Sequence, residues 1–227
     1  MKKFKKPFFM VNPKTYLYGN DVLRLAELTE KVAAKYDIES IFTAQLIDIP
    51  EIKKHAYPHL LITAQHMDTI PPNKGMGSVL PEALEAYGVD AVILNHSERQ
   101  LTLSQLDAGI KRAKKVGLLS IACADTLEQC QAVAQLHPNA MICEPAALVG
   151  SGKTSGKDYV TQSIAAVHAV DPAIFVIEAA GVSTAADVTQ MLEWGAAGTG
   201  GASGIVKAED WEAKLNALIG ALAHFKK

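Results

Sequence analysis

The sequence predicts a closed (β/α)8 barrel of the α/β class, and three observations support that prediction. The chain has 227 residues, a length at which a single barrel of this kind is complete. Eight short apolar runs alternate with helix-sized segments. No GxGxxG motif follows the first run, which disfavours the alternative of a doubly wound open sheet. Because no linker-like or low-complexity stretch interrupts the alternation, we expect one domain spanning residues 1–227.

Most of the apolar runs are continuous, which is typical of strands buried on both faces in a parallel sheet. In chain order, the predicted strands are Phe8–Asn12, Ser40–Ala44, Leu60–Gln65, Ala91–Asn95, Leu118–Ala124, Ala140–Glu144, Ile174–Ala179 and Ala197–Gly201.

Helices are predicted between the strands from apolar residues at spacings of three and four. The first helix starts near Asp21 and has the apolar stripe Val22, Leu25, Ala26, Val32, Ala33 and Tyr36. The last helix has the stripe Trp211, Leu215, Leu218, Ile219 and Leu222.

End signals predict where other helices begin and end. Thr126 with Gln129, and Thr184 with Asp187, have the spacing of a capping box. Glycines stand where helix C-caps are expected, at Gly117 and Gly195.

Composition excludes several function classes. A net charge of −2 provides no basic field, so we expect neither nucleic acid nor a membrane surface as a partner. The three cysteines lack CxxC spacing, which favours a reducing compartment, and we expect a cytoplasmic protein. The apolar part of "MKKFKKPFFMVN" is too short for a signal peptide. No cofactor or metal motif occurs, so we expect no cofactor and no metal.

Polar residues gather where predicted strands end, and in such barrels the carboxyl ends of all strands meet at one rim. They are Asn12 and Lys14 after strand one, Gln65, His66 and Asp68 after strand three, Asn95, His96 and Glu98 after strand four, Glu144 closing strand six, and Glu178 near the end of strand seven. The stretches "AAGVST" and "GGASG" follow strands seven and eight. Glycine-rich loops at helix N-termini bind phosphate through backbone N–H groups, so we expect an anion site there.

Taken together, "VNPKTY", "AQHMD", "NHSERQ", "EPAALVGSGK", "AAGVSTAADV" and "GGASGIVKAED" resemble the triosephosphate isomerase family, especially its compact archaeal-type branch. The motifs occur in the family's order and cover nearly the whole chain. The resemblance implies a single TIM barrel that interconverts dihydroxyacetone phosphate and D-glyceraldehyde 3-phosphate through an enediol. It also implies a phosphorylated sugar substrate and a homodimer or homotetramer.

The resemblance assigns roles to individual residues. Glu144 would remove a proton from the carbon beside the substrate carbonyl, and His96 would be a neutral electrophile, its pKa lowered by a helix N-terminus directly behind it. Lys14 would stabilise negative charge, Asn12 would help to place it, and Glu98 would hold the Lys14 ammonium by an ion pair.

The segment from Pro145 to Lys153 resembles the closing lid of the family, with Val149 and Gly150 wrapping the phosphate. The remaining phosphate contacts would come from Gly181, Ser183, Gly201, Ala202 and Ser203.

Several residues depart from the family's pattern. Glu178 could repel phosphate, clamp the lid or bind a hydroxyl of a larger substrate, and Ala179 adds a methyl beside it. Gly200 and Gly201 would leave space near the rim. These departures keep open the same chemistry on another short ketose phosphate, such as a tetrulose phosphate. A noncatalytic phosphate-binding barrel is the further alternative. Met76 and Ser78 make the third loop atypical, so the subunit contact could differ.

Overall fold

A computed structural model describes residues 3–226, and its sheet is a closed barrel of parallel strands in which β8 pairs with β1. The strands are β1 (Phe8–Val11), β2 (Ser40–Ala44), β3 (Leu60–Ala64), β4 (Ala91–Leu94), β5 (Leu119–Ala124), β6 (Ala140–Cys143), β7 (Phe175–Glu178) and β8 (Gly198–Gly201). The predicted fold class is confirmed, and each predicted strand end lies within one residue of the observed end.

Helices surround the barrel, lying between consecutive strands and after the last strand. They are α1 (Asn20–Tyr36), α2 (Ile49–Ile52), α3 (Pro81–Ala86), α4 (Leu103–Val116), α5 (Leu127–Ala134), α6 (Lys157–His168), α7 (Ala185–Glu193), α8 (Ser203–Val206) and α9 (Trp211–Leu222). Short 3-10 turns occur at Ala146–Leu148 and Ala223–Phe225. None of the helices within residues 3–226 has both the length and the apolar character needed to span a membrane.

The helix ends agree with the predicted signals with one change. Thr184 and Asp187 form a reciprocal capping box at the start of α7. The Thr126 side chain accepts the Gln129 N–H. The Gln129 side chain, however, accepts the N–H of Asp125 rather than that of Thr126, so this box is only half formed. Gly117 caps α4 in the left-handed conformation, and Gly195 lies one residue beyond the C-cap of α7.

Alternation along the strands divides the core into two parts. Phe8 and Met10 point into the barrel, whereas Phe9 and Val11 pack between the barrel and the helices. This period of two is the geometry of a pleated strand. The sequence pattern therefore decides which side chains at a strand's carboxyl end can reach the central site.

Candidate active site

A cavity of about 100 Å³ opens at the carboxyl rim of the barrel. It is lined by all the residues predicted to be catalytic or to bind substrate: Asn12, Lys14, His96, Glu144, Val149, Gly150, Gly181, Ser183, Gly201, Ala202 and Ser203. Glu98, predicted as a supporting residue, lies outside the cavity and contacts Lys14. The tertiary structure thus brings residues from five strand ends into one pocket.

Lys14 is fixed at both its backbone and its ammonium. Its backbone lies in the left-handed region, with φ of 47°, and its N–H donates to Asn12 Oδ1 over 2.9 Å. Gln65 donates to the Lys14 carbonyl over 2.9 Å, and Glu98 Oε1 lies 3.0 Å from Nζ. Because these partners hold the lysine, its positive charge is in place before an anion binds.

His96 is held in a defined neutral form by its own loop. The backbone N–H of Glu98 donates to His96 Nδ1 over 3.1 Å, so the proton of the neutral ring is on Nε2. Burial lowers the His96 pKa, and the nearby Lys14 charge lowers it further, while the Glu98 carboxylate opposes both. The predicted helix N-terminus directly behind the ring is wrong, because α4 begins only at Leu103 and a tight turn supplies the N–H instead.

Asn95 anchors this turn, a role that sequence reasoning did not assign to it. Its backbone has φ of 62°, a conformation that asparagine tolerates better than most residues. Its side chain donates to the Cys123 carbonyl and accepts the Leu101 N–H, both over 2.9 Å. The imidazole is therefore positioned by hydrogen bonds to the next strand and to the segment before α4.

Glu144 follows the last residue of β6, and its N–H donates to the Ala124 carbonyl over 3.0 Å. Burial raises the Glu144 pKa to about 7; the Lys14 charge opposes this shift and the Glu98 charge adds to it. A carboxylate with such a pKa is matched to accept and return a proton near neutral pH.

The predicted lid contributes Val149, Gly150 and Gly152 to the lining of the cavity. After Pro145 the chain forms a 3-10 turn, and Gly150 and Gly152 both have φ of 74°. A Cβ built on Gly181 would lie 2.1 Å from the Lys153 carbonyl oxygen, so the end of the lid rests directly on the loop after β7. Only glycine allows this close approach.

Beside the loops after β7 and β8, the cavity is lined by glycine, alanine, valine and serine residues. Ala202 and Ser203, at the start of α8, line it together with Gly204, which sequence reasoning missed. Ser183 also lines it, but its N–H and its hydroxyl both donate to Asp187 Oδ2, over 2.9 Å and 3.4 Å.

The three roles considered for Glu178 are wrong because its side chain points away from the cavity. The residue is fully buried, and its carboxyl accepts the Ser163 hydroxyl of α6 over 2.7 Å. Burial raises its pKa well above the usual range, which favours the neutral carboxyl. Ile177 before it packs inside the barrel, and strand alternation sends Glu178 to the helix layer and Ala179 to the cavity.

The space expected at Gly200 and Gly201 is also absent. A Cβ on Gly200 would lie 2.4 Å from the Met10 carbonyl oxygen, and one on Gly201 would lie 3.2 Å from Ile205 Cδ1. These glycines allow close packing of β8 against β1 and α8 rather than enlarging the pocket. Met10 and Ile142, which also line the cavity, were missed, although strand alternation from Phe8 and Ala140 predicts their inward direction.

The fold and this pocket define a class of protein: a (β/α)8-barrel enzyme whose pocket brings a buried carboxyl, an imidazole and a lysine together beside glycine-rich loops. A family model described as triosephosphate isomerase matches residues 7–219. The chain belongs to the triosephosphate isomerase family, and it is an isomerase of the intramolecular oxidoreductase class.

Similar proteins support the same assignment. The chain is 35% identical to a triosephosphate isomerase of Methanosarcina mazei over 94% of this chain and 97% of that protein. It is 34% identical to one from Methanobacterium bryantii, covering 90% and 92%, and 32% identical to one from Saccharolobus solfataricus, covering 92% of each. The resemblance to the family, including its archaeal-type branch, is confirmed.

Proposed function

We propose that this enzyme interconverts dihydroxyacetone phosphate and D-glyceraldehyde 3-phosphate. The observation that carries the proposal is that Glu144, His96 and Lys14 line one cavity of about 100 Å³, whose opposite side is a backbone-rich anion site. The volume suits a small substrate, and the chemistry at its two sides suits a carbonyl and a phosphate.

The residues have distinct parts in the proposed reaction. Glu144 takes a proton from the carbon beside the carbonyl, and the electron pair moves to the carbonyl oxygen, forming an enediolate. His96 Nε2–H and the Lys14 ammonium donate hydrogen bonds to the oxygens on which this charge develops. A proton passes from the neighbouring hydroxyl to the former carbonyl oxygen, which leaves the negative charge on the neighbouring oxygen. Glu144 then returns its proton to the former carbonyl carbon as the new carbonyl forms, which completes the aldose–ketose exchange without any redox cofactor.

The lid supplies the protection that the enediolate needs. Val149 and Gly150 line the cavity on the lid side, and closure there would exclude water and hold the phosphate in the plane of the enediolate. Gly181, Ser183, Gly201, Ala202 and Ser203 would complete the phosphate contacts. Asn12, whose side chain holds the Lys14 backbone, would keep the cation at the oxygens.

The alternative of a tetrulose phosphate substrate loses its basis. It depended on a carboxylate at Glu178 and on space at Gly200, and neither is available to a ligand in the pocket. The alternative of a noncatalytic barrel is disfavoured by the raised pKa of Glu144 beside a preorganised cation, an arrangement that binding alone does not require.

The test is a coupled isomerase assay on a panel of phosphorylated ketoses of three to five carbons. We expect kcat/KM for dihydroxyacetone phosphate to exceed that for a tetrulose phosphate by more than a hundredfold. A preference for the tetrulose would refute the substrate assignment, and binding of phosphoglycolate without turnover of any ketose would support the noncatalytic barrel.

We also propose that the chain assembles into a homodimer or homotetramer through a surface beside the active site, which we call the rim surface. It contains the exposed apolar residues Tyr16, Tyr18, Leu46 and Ile47, and a cavity of about 480 Å³ that reaches Lys14 and His96. Met76, fully exposed at the tip of the third loop, supplies an apolar group to insert there.

The third loop is built to present Met76. At its base, Asp68 accepts the Val79 N–H over 2.7 Å and bonds His66 over 3.2 Å. At its tip, Gly75 and Gly77 both have positive φ, which makes a tight turn. A rigid loop with one exposed apolar residue at its end is suited to docking in a cavity of another copy.

A further inference from the structure

Apolar side chains form the floor of the active-site cavity. Met10 and Ile142 line the cavity and also belong to the packed cluster inside the barrel, so they separate the substrate space from the core. Met10 is 4% exposed and is one of the residues that line the cavity. The catalytic proposal gives neither residue a part.

Next to Met10, strand β8 contributes no side chain to the floor. Gly200 pairs with Met10 in the register of the two strands, and a Cβ on Gly200 would lie 2.6 Å from the Met10 Cβ. The Met10 side chain therefore fills the sector that two strands would ordinarily share. On this side of the barrel, the depth of the pocket depends on the side chain at position 10.

The depth of the pocket limits the length of the substrate. The phosphate is held at the glycine-rich side, and the reacting carbons must lie between Glu144 and His96. A substrate with one more CHOH group between its phosphate and its reacting carbons has to bend out of the line joining these two sites. The lid occupies the space above that line. Toward the floor, the added group meets Met10, whose thioether offers no good partner for a hydroxyl, and an unpaired buried hydroxyl is costly.

We infer that Met10 is a specificity-determining residue, which restricts the pocket to three-carbon phosphates by both volume and polarity. This inference rests on the proposed isomerase function. It predicts that shortening residue 10 opens space beneath the carbon chain while leaving the base, the imidazole and the ammonium in place.

The experiment compares the wild-type enzyme with Met10→Ala and with Ile41→Ala. Ile41 is a matched control, because it pairs with Met10 in the neighbouring strand and is buried inside the barrel but does not line the cavity. The measured quantity is the ratio of kcat/KM for dihydroxyacetone phosphate to kcat/KM for D-erythrulose 4-phosphate. We expect Met10→Ala to reduce this ratio at least tenfold and Ile41→Ala to leave it within twofold of wild type.

Binding supplies a readout that does not need turnover. Calorimetry with 4-phosphoerythronate, a four-carbon acid phosphate, should show at least tenfold tighter binding to Met10→Ala than to wild type. If Met10→Ala does not fold, Met10→Val decides, with a threefold change expected in the same directions. An unchanged ratio and unchanged binding in the variant that folds, or an equal change in Ile41→Ala, would overturn the inference. Absence of triose turnover in the wild type would instead refute the proposed function.

Discussion

At the scale of single residues, the site depends on two groups whose pKa values are shifted in opposite directions by burial. Burial disfavours the charged form of each group, so it raises the pKa of the Glu144 carboxyl and lowers that of the His96 imidazole. Both shifts fit the proposed mechanism, because they favour a carboxyl that titrates near neutrality and an imidazole in its neutral form. Lys14 lowers both pKa values and prevents the Glu144 pKa from rising further.

Shortening the base by one methylene should remove most of the activity. We expect Glu144→Asp to lower kcat by about a hundredfold or more, because misplacement of a reacting group by about 1 Å is that costly. Glu178→Gln is the matched control: this neighbouring glutamate faces α6, and its replacement should change kcat less than threefold. Full activity of Glu144→Asp, or a large loss in Glu178→Gln, would contradict the assignment.

The pH dependence follows from the same shift. Because Glu144 must be ionised to act, kcat/KM should fall tenfold per pH unit below an apparent pKa of about 7. Glu98→Gln should move this limb to lower pH, since it removes a negative charge that raises the Glu144 pKa. The ionisation of the substrate phosphate is the same in assays of the wild type and of Glu98→Gln. A shift of the acidic limb between the two enzymes therefore reports a change in the enzyme alone. A limb that does not move, or that moves upward, would be inconsistent with the proposed base.

The same group gives stability a defined pH slope. The folded-state pKa of Glu144 is raised above its unfolded value, so the native state binds more protons between pH 4.5 and about 7. Its contribution to the free energy of unfolding therefore decreases as the pH rises through that window. Denaturant titrations should show that Glu144→Gln flattens this decrease, and an unchanged slope would show that the carboxyl is not buried as described.

At the scale of elements, the end of the lid is in direct contact with the loop after β7. Gly181 has φ of 65° and touches the Lys153 backbone, so a side chain there would displace the end of the lid. The strands, by contrast, are determined locally, and their ends are recognisable because apolar runs stop where polar rim residues begin.

Gly181→Ala should weaken phosphoglycolate binding at least tenfold because the methyl group separates lid and loop. Gly117→Ala is the control: its φ is 82°, but no atom lies within 4 Å of the added Cβ. Both variants should lose roughly 1 kcal/mol of stability from the positive φ, and only Gly181→Ala should lose affinity. Equal affinities of the two variants, measured by calorimetry, would show that the lid does not depend on this contact.

At the scale of the whole molecule, the two proposals concern the single domain and the assembly of copies of the barrel. One domain spanning residues 1–227 stays a prediction, and a single cooperative unfolding transition would support it. The rim surface includes a cavity that reaches Lys14 and His96, so assembly through this surface is expected to be linked to activity.

Replacing the loop tip with a charge should block assembly. We expect Met76→Asp to sediment as a monomer at concentrations where the wild type is a dimer or tetramer, because burying an unpaired carboxylate is unfavourable. Tyr87→Asp is the control, since it removes an exposed apolar side chain at the end of α3, away from that loop tip. A monomeric wild type, or an unchanged mass for Met76→Asp, would refute this mode of assembly.

The sequence by itself determined the barrel, the strands and the identity of the rim residues. Continuous apolar runs need burial on both faces, and the polar residues that end them can only meet at the carboxyl rim. The tertiary structure alone decided that Glu178 faces α6, that Met10 fills the sector beside Gly200 and that the Glu144 pKa is about 7. The physical reason is that side-chain direction reverses at every residue of a strand, and burial and charge depend on neighbours distant in the chain.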